Sequence, residues 1–131
     1  MSDLKIVVAG AGGRMGRAVI REIVESGAGI IHGALEASGN ALIGDDAGTL
    51  AGLKPLGVKV SSDALKLVVD AQAYIDFSPP ASSLELAALA AQARIVHVIG
   101  TTGFSDSDEA KLKAAARHAT IVKSGNMSLG V

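Results

Sequence analysis

The sequence predicts an α/β domain: a doubly wound parallel sheet with helices on both faces. Three observations carry that expectation. Short apolar runs of strand length alternate along the chain with longer segments of helical periodicity, the pattern of successive βαβ units. Apolar residues are 49% of the 131 positions and aromatics only 2%, so the core is aliphatic and, with 16 glycines, suits buried parallel strands under close-packed helices. The unusual loops all follow strands, which is where such sheets place their ligands.

The first strand is Lys5-Ile6-Val7-Val8-Ala9. It breaks into Gly10-Ala11-Gly12-Gly13-Arg14-Met15-Gly16 and then a helix to about Ser26, with Met15, Val19 and Ile23 expected inward and Arg17, Arg21 and Glu25 outward. Strand, tight turn and helix in that order suit a dinucleotide pyrophosphate. Glycines accept unusual backbone angles and keep side chains away from a phosphate, and the helix N-terminus offers unpaired N–H groups. The glycines read as Gly10-x-Gly12 or as Gly10-x-x-Gly13-x-x-Gly16, and the second spacing leans away from the commonest dehydrogenases.

Gly27-Ala28-Gly29 stops the helix, Ile30 to Leu35 forms the second strand, and Glu36 follows Gly16 by 20 residues. That is the distance expected of the acid that accepts hydrogen bonds from an adenosine ribose, and its charge repels a 2′-phosphate. Ala37 to Gly57, interrupted by glycines at 39, 44, 48, 52 and 57, is expected to be an extended surface excursion. Val58-Lys59-Val60 is a short strand, and Ser61-Ser62-Asp63 supplies N-cap candidates for a helix to about Val69. The strand Ala73 to Phe77 ends at Ser78-Pro79-Pro80. Ser82 and Glu85, spaced as a capping box, are expected to open a helix running through Leu84, Leu86, Leu89 and Ala90, apolar nearly all round and hence well covered. Ile95 to Ile99 forms the next strand, followed by Gly100-Thr101-Thr102-Gly103-Phe104. A second capping box at Asp106 and Glu109 opens a helix through Ala110 to His118, Thr120 to Lys123 is the last strand, and Ser124 to Val131 follow.

Composition excludes several chemistries. A net charge of −1 gives no electrostatic case for nucleic acid or an acidic membrane surface, and the absence of cysteine removes disulfides and thiol nucleophiles. No charged leader with an apolar h-region and no membrane-spanning run is present, so a soluble, cytoplasmic protein is expected. His32 and His97 read as core or sheet residues and His118 as a cation suited to a helix C-terminus; no pair has ligand spacing, so no metal is expected. Serine, histidine and aspartate occur without a Gly-x-Ser-x-Gly elbow, and Asn126-Met127-Ser128 fits a glycosylation acceptor that a cytoplasmic location makes irrelevant. Asp76, in an apolar strand, reads as structural rather than catalytic, capping neighbouring amides or turning to the sheet edge. Thr101 and Thr102 bring hydroxyls and amides to a strand end, which suits a nicotinamide or a substrate carboxylate.

Four patches, Val8 to Gly16, Asp76-Phe77-Ser78-Pro79, Gly100 to Phe104 and Asn126 to Val131, resemble in order and spacing the amino-terminal half of dihydrodipicolinate reductase, and Gly44 to Gly48 is similar too. The resemblance implies a Rossmann-type domain over residues 1–126, with 127–131 beginning a crossover to a substrate and oligomerisation domain. Gly10, Ala11, Gly12, Gly13, Arg14 and Met15 would line the pyrophosphate and Glu36 would hold the ribose. Phe77, Gly100, Thr101 and Thr102 would line the cofactor toward its nicotinamide end, and Ser124, Gly125, Asn126 and Met127 would border it. Thr102 would also reach the substrate. The implied reaction is hydride transfer from NADH or NADPH to 4-hydroxy-tetrahydrodipicolinate, giving tetrahydrodipicolinate, in the diaminopimelate route to lysine, within a homotetrameric parent enzyme.

The chain departs from the family in two ways. Glu36 is followed by Ala37 and Ser38 where many members place an arginine that pairs with a 2′-phosphate; Arg14 is the nearest substitute, so both cofactors are expected with NADH favoured. The family's histidine pair and lysine, with the signature Asp-Ala-Pro-Ser-Gly-Thr, have no counterpart in these residues. No catalytic residue is therefore assigned, and the chain alone is expected to bind dinucleotide without turning over the small dicarboxylate substrate. Two alternatives remain: a related reductase of imines or aldehydes, and a free-standing nucleotide-sensing module.

Overall fold

The structure is a computed structural model that describes residues 4–100, 106–115 and 121–123. Among these residues six parallel strands, β1 (Lys5–Ala9), β2 (Ile30–Leu35), β3 (Val60–Ser61), β4 (Ala73–Asp76), β5 (Val96–Ile99) and β6 (Ile121–Lys123), lie in the order β3-β2-β1-β4-β5-β6. The chain thus starts in the middle of the sheet and winds outward twice, which leaves a crevice beyond the C-terminal ends of β1 and β4 where the winding reverses. Among the described residues five helices connect the strands: α1 (Arg14–Ser26), α2 (Ala47–Leu50), α3 (Ala64–Val68), α4 (Pro80–Ala93) and α5 (Asp106–Ala115).

Strand alternation divides the core into two layers. On β1, Ile6 and Val8 point to the face covered by Ile20 and Ile23 of α1, whereas Val7 and Ala9 point to the face covered by Leu86 and Ala90 of α4. The Gly27 stop is a left-handed C-cap with φ 72°, as a helix ending in glycine requires. Asp63 is the N-cap chosen from the three candidates before α3, accepting a hydrogen bond from the Lys66 N–H at 3.0 Å.

Several expectations are corrected. Met15 is 51% exposed; the inward stripe of α1 is Gly16, Ile20 and Ile23, because the helix meets the glycine turn edge-on with Gly16 innermost. Ser82 and Glu85 lie inside α4, which begins at Pro80 with Pro79 as its cap residue, so they form no capping box; proline at the first helical position replaces it. Asp106 is the first residue of α5 rather than the residue before it, and the expected extension to His118 lies outside the described residues. The short third strand is Val60–Ser61, and Lys59 instead makes an antiparallel bridge to Asp46.

The largest correction concerns Ala37 to Gly57. This segment carries α2 and buries Ala47 and Ala51 against Ile20 and Val60, with Leu50, Leu53 and Leu56 partly covered beside them. Arg21 fastens it by donating Nε and Nη2 to the Ala51 carbonyl at 3.1 and 2.7 Å. Asp46 fastens its other end, accepting from the N–H groups of Thr49, Leu56 and Gly57 at 3.0, 3.0 and 2.8 Å. Those bonds, led by Thr49, outweigh partial desolvation and lower the Asp46 carboxyl from 3.8 to about 2. A carboxyl with a depressed folded pKa stabilises the fold above its unfolded value and loses that contribution as pH falls. The difference in melting temperature between the parent and Asp46→Asn is therefore expected to be full above pH about 4 and to shrink as pH falls toward about 2. Thermal melts across that range check it; a gap independent of pH would remove the carboxylate charge from this role.

Candidate functional site

The expected loop residues gather along one edge. Gly10, Glu36, Phe77 and Gly100 each follow directly on β1, β2, β4 and β5, at the C-terminal side of the sheet. Thr101, Thr102, Ser124, Gly125, Asn126 and Met127 lie outside the described residues.

The glycine turn is shaped by close approaches. Gly10 has φ +74°, and a Cβ there would sit 2.8 Å from the Phe77 carbonyl carbon and oxygen. A Cβ at Gly16 would run into the Gly10 carbonyl oxygen and stand 2.8 Å from the Ala11 Cα. These contacts pull the first turn of α1 down onto the turn that precedes it. The Gly10 and Ala11 N–H groups donate to the Leu35 carbonyl at 3.0 and 3.2 Å, tying the turn to the end of β2. Gly13 is the cap residue of α1 in an extended conformation and supplies no side-chain bond to the helix. The amides of Arg14, Met15 and Gly16 in the first turn therefore have no intrahelical acceptor and stand at the positive end of the helix dipole.

Glu36 closes the other side. Its Oε2 accepts from the Gly12 N–H at 2.7 Å, and Oε1 has a longer contact, 3.4 Å, from Asn40 Nδ2. The carboxylate thus stands against the glycine turn with Oε1 still able to accept strong bonds. Two clefts flank this edge. One of about 410 Å³ runs over Gly10, Gly13, Arg14, Met15 and Gly16 to Phe77 and Gly100. The other, of about 380 Å³, extends from Gly10 and Glu36 past Ser62 to Ser78, Pro79, Ser82 and Leu86. Pro79 lies on this edge as the strand followed by Ser-Pro-Pro suggests, whereas Ser62 and Ser82 are cleft walls that no local signal announces.

Asp76, His97, His32 and Tyr74 make their contacts within the fold. Asp76 is fully buried and caps the Ser78 N–H at 2.8 Å, as expected of a carboxylate in an apolar strand. His97 is buried in the sheet, and His32 places Nε2 2.8 Å from the Val69 carbonyl. Tyr74 donates its hydroxyl to the Ala64 carbonyl at 3.2 Å; burial, with the nearby Asp76 charge adding, pushes its phenol up to about 12.

Comparison with known proteins decides the family. Residues 4–127 match the family model for the N-terminus of dihydrodipicolinate reductase. The chain belongs to the dihydrodipicolinate reductase family. A 4-hydroxy-tetrahydrodipicolinate reductase from Parvibaculum lavamentivorans is 64% identical over 131 residues, covering 99% of this chain and 48% of that protein. The chain thus spans about half the length of the reductases it matches. Among solved structures, a dipicolinate-bound dihydrodipicolinate reductase from Paenisporosarcina sp. TG-14 aligns over 88% of this chain and 43% of its own, with a TM-score of 0.63 and 19% identity. The WlbA dehydrogenase from Chromobactrium violaceum, in complex with NADH and UDP-GlcNAcA, aligns over 94% of this chain and 35% of its own, with a TM-score of 0.69 and 12% identity. Both likenesses concern the fold, a Rossmann-type parallel sheet shared by reductases and dehydrogenases of different substrates.

Proposed function

We propose that this chain is the nicotinamide-dinucleotide-binding domain of a 4-hydroxy-tetrahydrodipicolinate reductase, with NADH preferred over NADPH. One observation carries the reading: the uncapped N-terminus of α1 and the Glu36 carboxylate face one edge, with a cleft on either side of Gly10. A pyrophosphate over Arg14, Met15 and Gly16 would take the free amides, Glu36 Oε1 would accept from the adenosine ribose, and the nicotinamide would extend toward Phe77 and Gly100. Thr101, Thr102 and the Ser124 to Met127 segment are proposed to complete that end, with Thr102 also meeting the substrate. Bound there, the reduced nicotinamide supplies the hydride, while this chain binds and orients it.

The preference for NADH rests on charge. Glu36 and Glu85 line the adenosine-side cleft, and no lysine or arginine does so among the described residues. A 2′-phosphate there would meet carboxylates alone, with Arg14 over the neighbouring cleft as the nearest cation of the cradle.

The rest of the reaction is assigned to the other half of the parent protein. Residues 1–126 are proposed as the nucleotide domain and 127–131 as the start of a crossover to a substrate and oligomerisation domain, in keeping with relatives about twice as long. The parent is proposed to act as a cytoplasmic homotetramer. The 131-residue chain is expected to bind NADH, seen as enhanced and blue-shifted nicotinamide fluorescence, and to oxidise none of it when given 4-hydroxy-tetrahydrodipicolinate. Absence of NADH binding would overturn the nucleotide assignment; turnover by this chain would overturn the division of labour.

A further inference from the structure

The loop that forms the wall between the two clefts rests on a buried polar cluster with no part in the nucleotide contacts above. Asp76, the last residue of β4, and His97 on β5 are both fully buried. The imidazole Nε2–H donates to Asp76 Oδ2 at 2.8 Å, and Asp76 Oδ1 accepts from the Ser78 N–H at 2.8 Å and the Ser78 hydroxyl at 2.5 Å. Strand register explains the meeting. Tyr74 stands opposite His97 and Asp76 opposite Ile99, so Tyr74, Asp76 and His97 share the face covered by α4, where the Tyr74 and His97 rings meet edge-on at 5.9 Å.

These contacts converge on Phe77-Ser78-Pro79. The Phe77 carbonyl abuts Gly10 and its ring lies against Gly100, bounding one cleft, while Ser78 and Pro79 bound the other. The Phe77 N–H donates to the Ala9 carbonyl at 2.9 Å and the Gly100 N–H to the Asp76 carbonyl at 2.8 Å, so the backbone on both sides is fixed to the strands. Between them, the Asp76 carboxylate takes the Ser78 N–H at 2.8 Å, while Ser83 donates its N–H to the Pro79 carbonyl at 3.0 Å and makes a longer hydroxyl contact, 3.4 Å, with the Ser78 carbonyl. His97 carries a cost in this place: its Nδ1 is buried without a hydrogen-bond partner among the described residues. An aliphatic residue would fill a sheet interior without that penalty; what the imidazole adds is the bond that Nε2 makes to Asp76.

We propose that His97 is a positioning residue for the dinucleotide site: by anchoring Asp76 it fixes the Ser78 amide and hydroxyl, and so holds the Phe77-Ser78-Pro79 wall in the shape that receives the cofactor. This rests on the nucleotide assignment above. Without the imidazole donor, the buried carboxylate is left to Ser78 and the wall moves to satisfy it.

NADH fluorescence titrations and thermal melts of the 131-residue chain test this with four substitutions. His97→Leu removes the donor and is expected to weaken NADH binding by about tenfold or more. His97→Gln places an amide N–H at about the reach of Nε2 and is expected to stay within about threefold of the parent, whereas His97→Asn reaches only as far as Nδ1 and weakens binding as the leucine does. Ile23→Ala, in the opposite core layer, supplies a control of lowered stability and is expected to keep parental affinity. If the leucine variant does not fold, the glutamine and asparagine pair decides. Equal weakening by Ile23→Ala at a matched loss of melting temperature, equal affinities of the glutamine and asparagine variants, or parental affinity in a folded leucine variant would each overturn the proposal. A parent chain that binds no NADH would instead overturn the nucleotide assignment, and this proposal with it.

Discussion

Gly16→Ala is expected to cost this chain about 3 kcal/mol of stability, and with it the dinucleotide site, because the added methyl group has no room to occupy. It would run into the Gly10 carbonyl oxygen and press on the Ala11 Cα, both backbone atoms that no rotamer change can move aside. For a domain of this size the loss corresponds to a fall of about 10 °C in melting temperature. Relief requires α1 to shift away from the glycine turn, which carries the free amides of its first turn away from the pyrophosphate. NADH affinity should therefore drop by about 100-fold or more, the loss of roughly two charge-assisted hydrogen bonds. Gly13→Ala separates packing from ligand approach. Its Cβ would meet only the Gly10 oxygen, at 3.5 Å, and its φ of −78° suits any residue. That variant should melt within about 2 °C of the parent yet bind NADH poorly, since the methyl group stands where the phosphate must approach. Thermal melts beside NADH titrations check both; a Gly16→Ala chain with parental stability and affinity would show that α1 is not held where the structure places it.

Glu36→Ala should weaken NADH by about 100-fold or more, the value of two ribose hydroxyls bonded to a charged acceptor. Stability should change little, by about 1 kcal/mol, because the stronger protein bond lost is the one from the Gly12 N–H. NADPH should respond differently. On the placement proposed above its 2′-phosphate would face the carboxylates of Glu36 and Glu85, so the unmodified chain is expected to bind NADPH more weakly than NADH. Removing Glu36 takes away an attraction for one cofactor and a repulsion for the other, and the preference should narrow or reverse. Matched titrations of both cofactors at physiological salt provide the check. Unchanged NADH affinity would take Glu36 out of the ribose role, and a parent that prefers NADPH would overturn the charge reasoning.

Much of this site was legible in the chain because it is local. The strand, turn and helix from Lys5 to Ser26 declare themselves through periodicity and glycine spacing, and β2 runs from Ile30 to Leu35 as its apolar run predicts. Glu36 follows from distance along the chain, since one helix and one strand of ordinary length bring the next acid back to the turn. Alternation of strands with helices then fixes a parallel sheet and right-handed crossovers, and so assigns the loops after β1, β2, β4 and β5 to one edge.

Other features depend on partners far apart in sequence. Periodicity places Met15 inward, but close packing of Gly16 on Gly10 sets the rotation of α1 and turns Met15 outward. The glycines between Ala37 and Gly57 suggest a surface excursion, yet Asp46 and Arg21 fold that segment onto α1 and bury Ala47 and Ala51. Asp76 and His97 read singly as a structural carboxylate and a core histidine, and nothing within either strand announces their bond. The sheet, the glycine turn and the position of Glu36 against it follow from backbone preference and short spacing, and so could be read from the chain. Which helix face is buried, how the glycine-rich segment packs, and the meeting of His97 with Asp76 across 21 residues depend on long-range packing, because strand register exists only once β4 and β5 have paired.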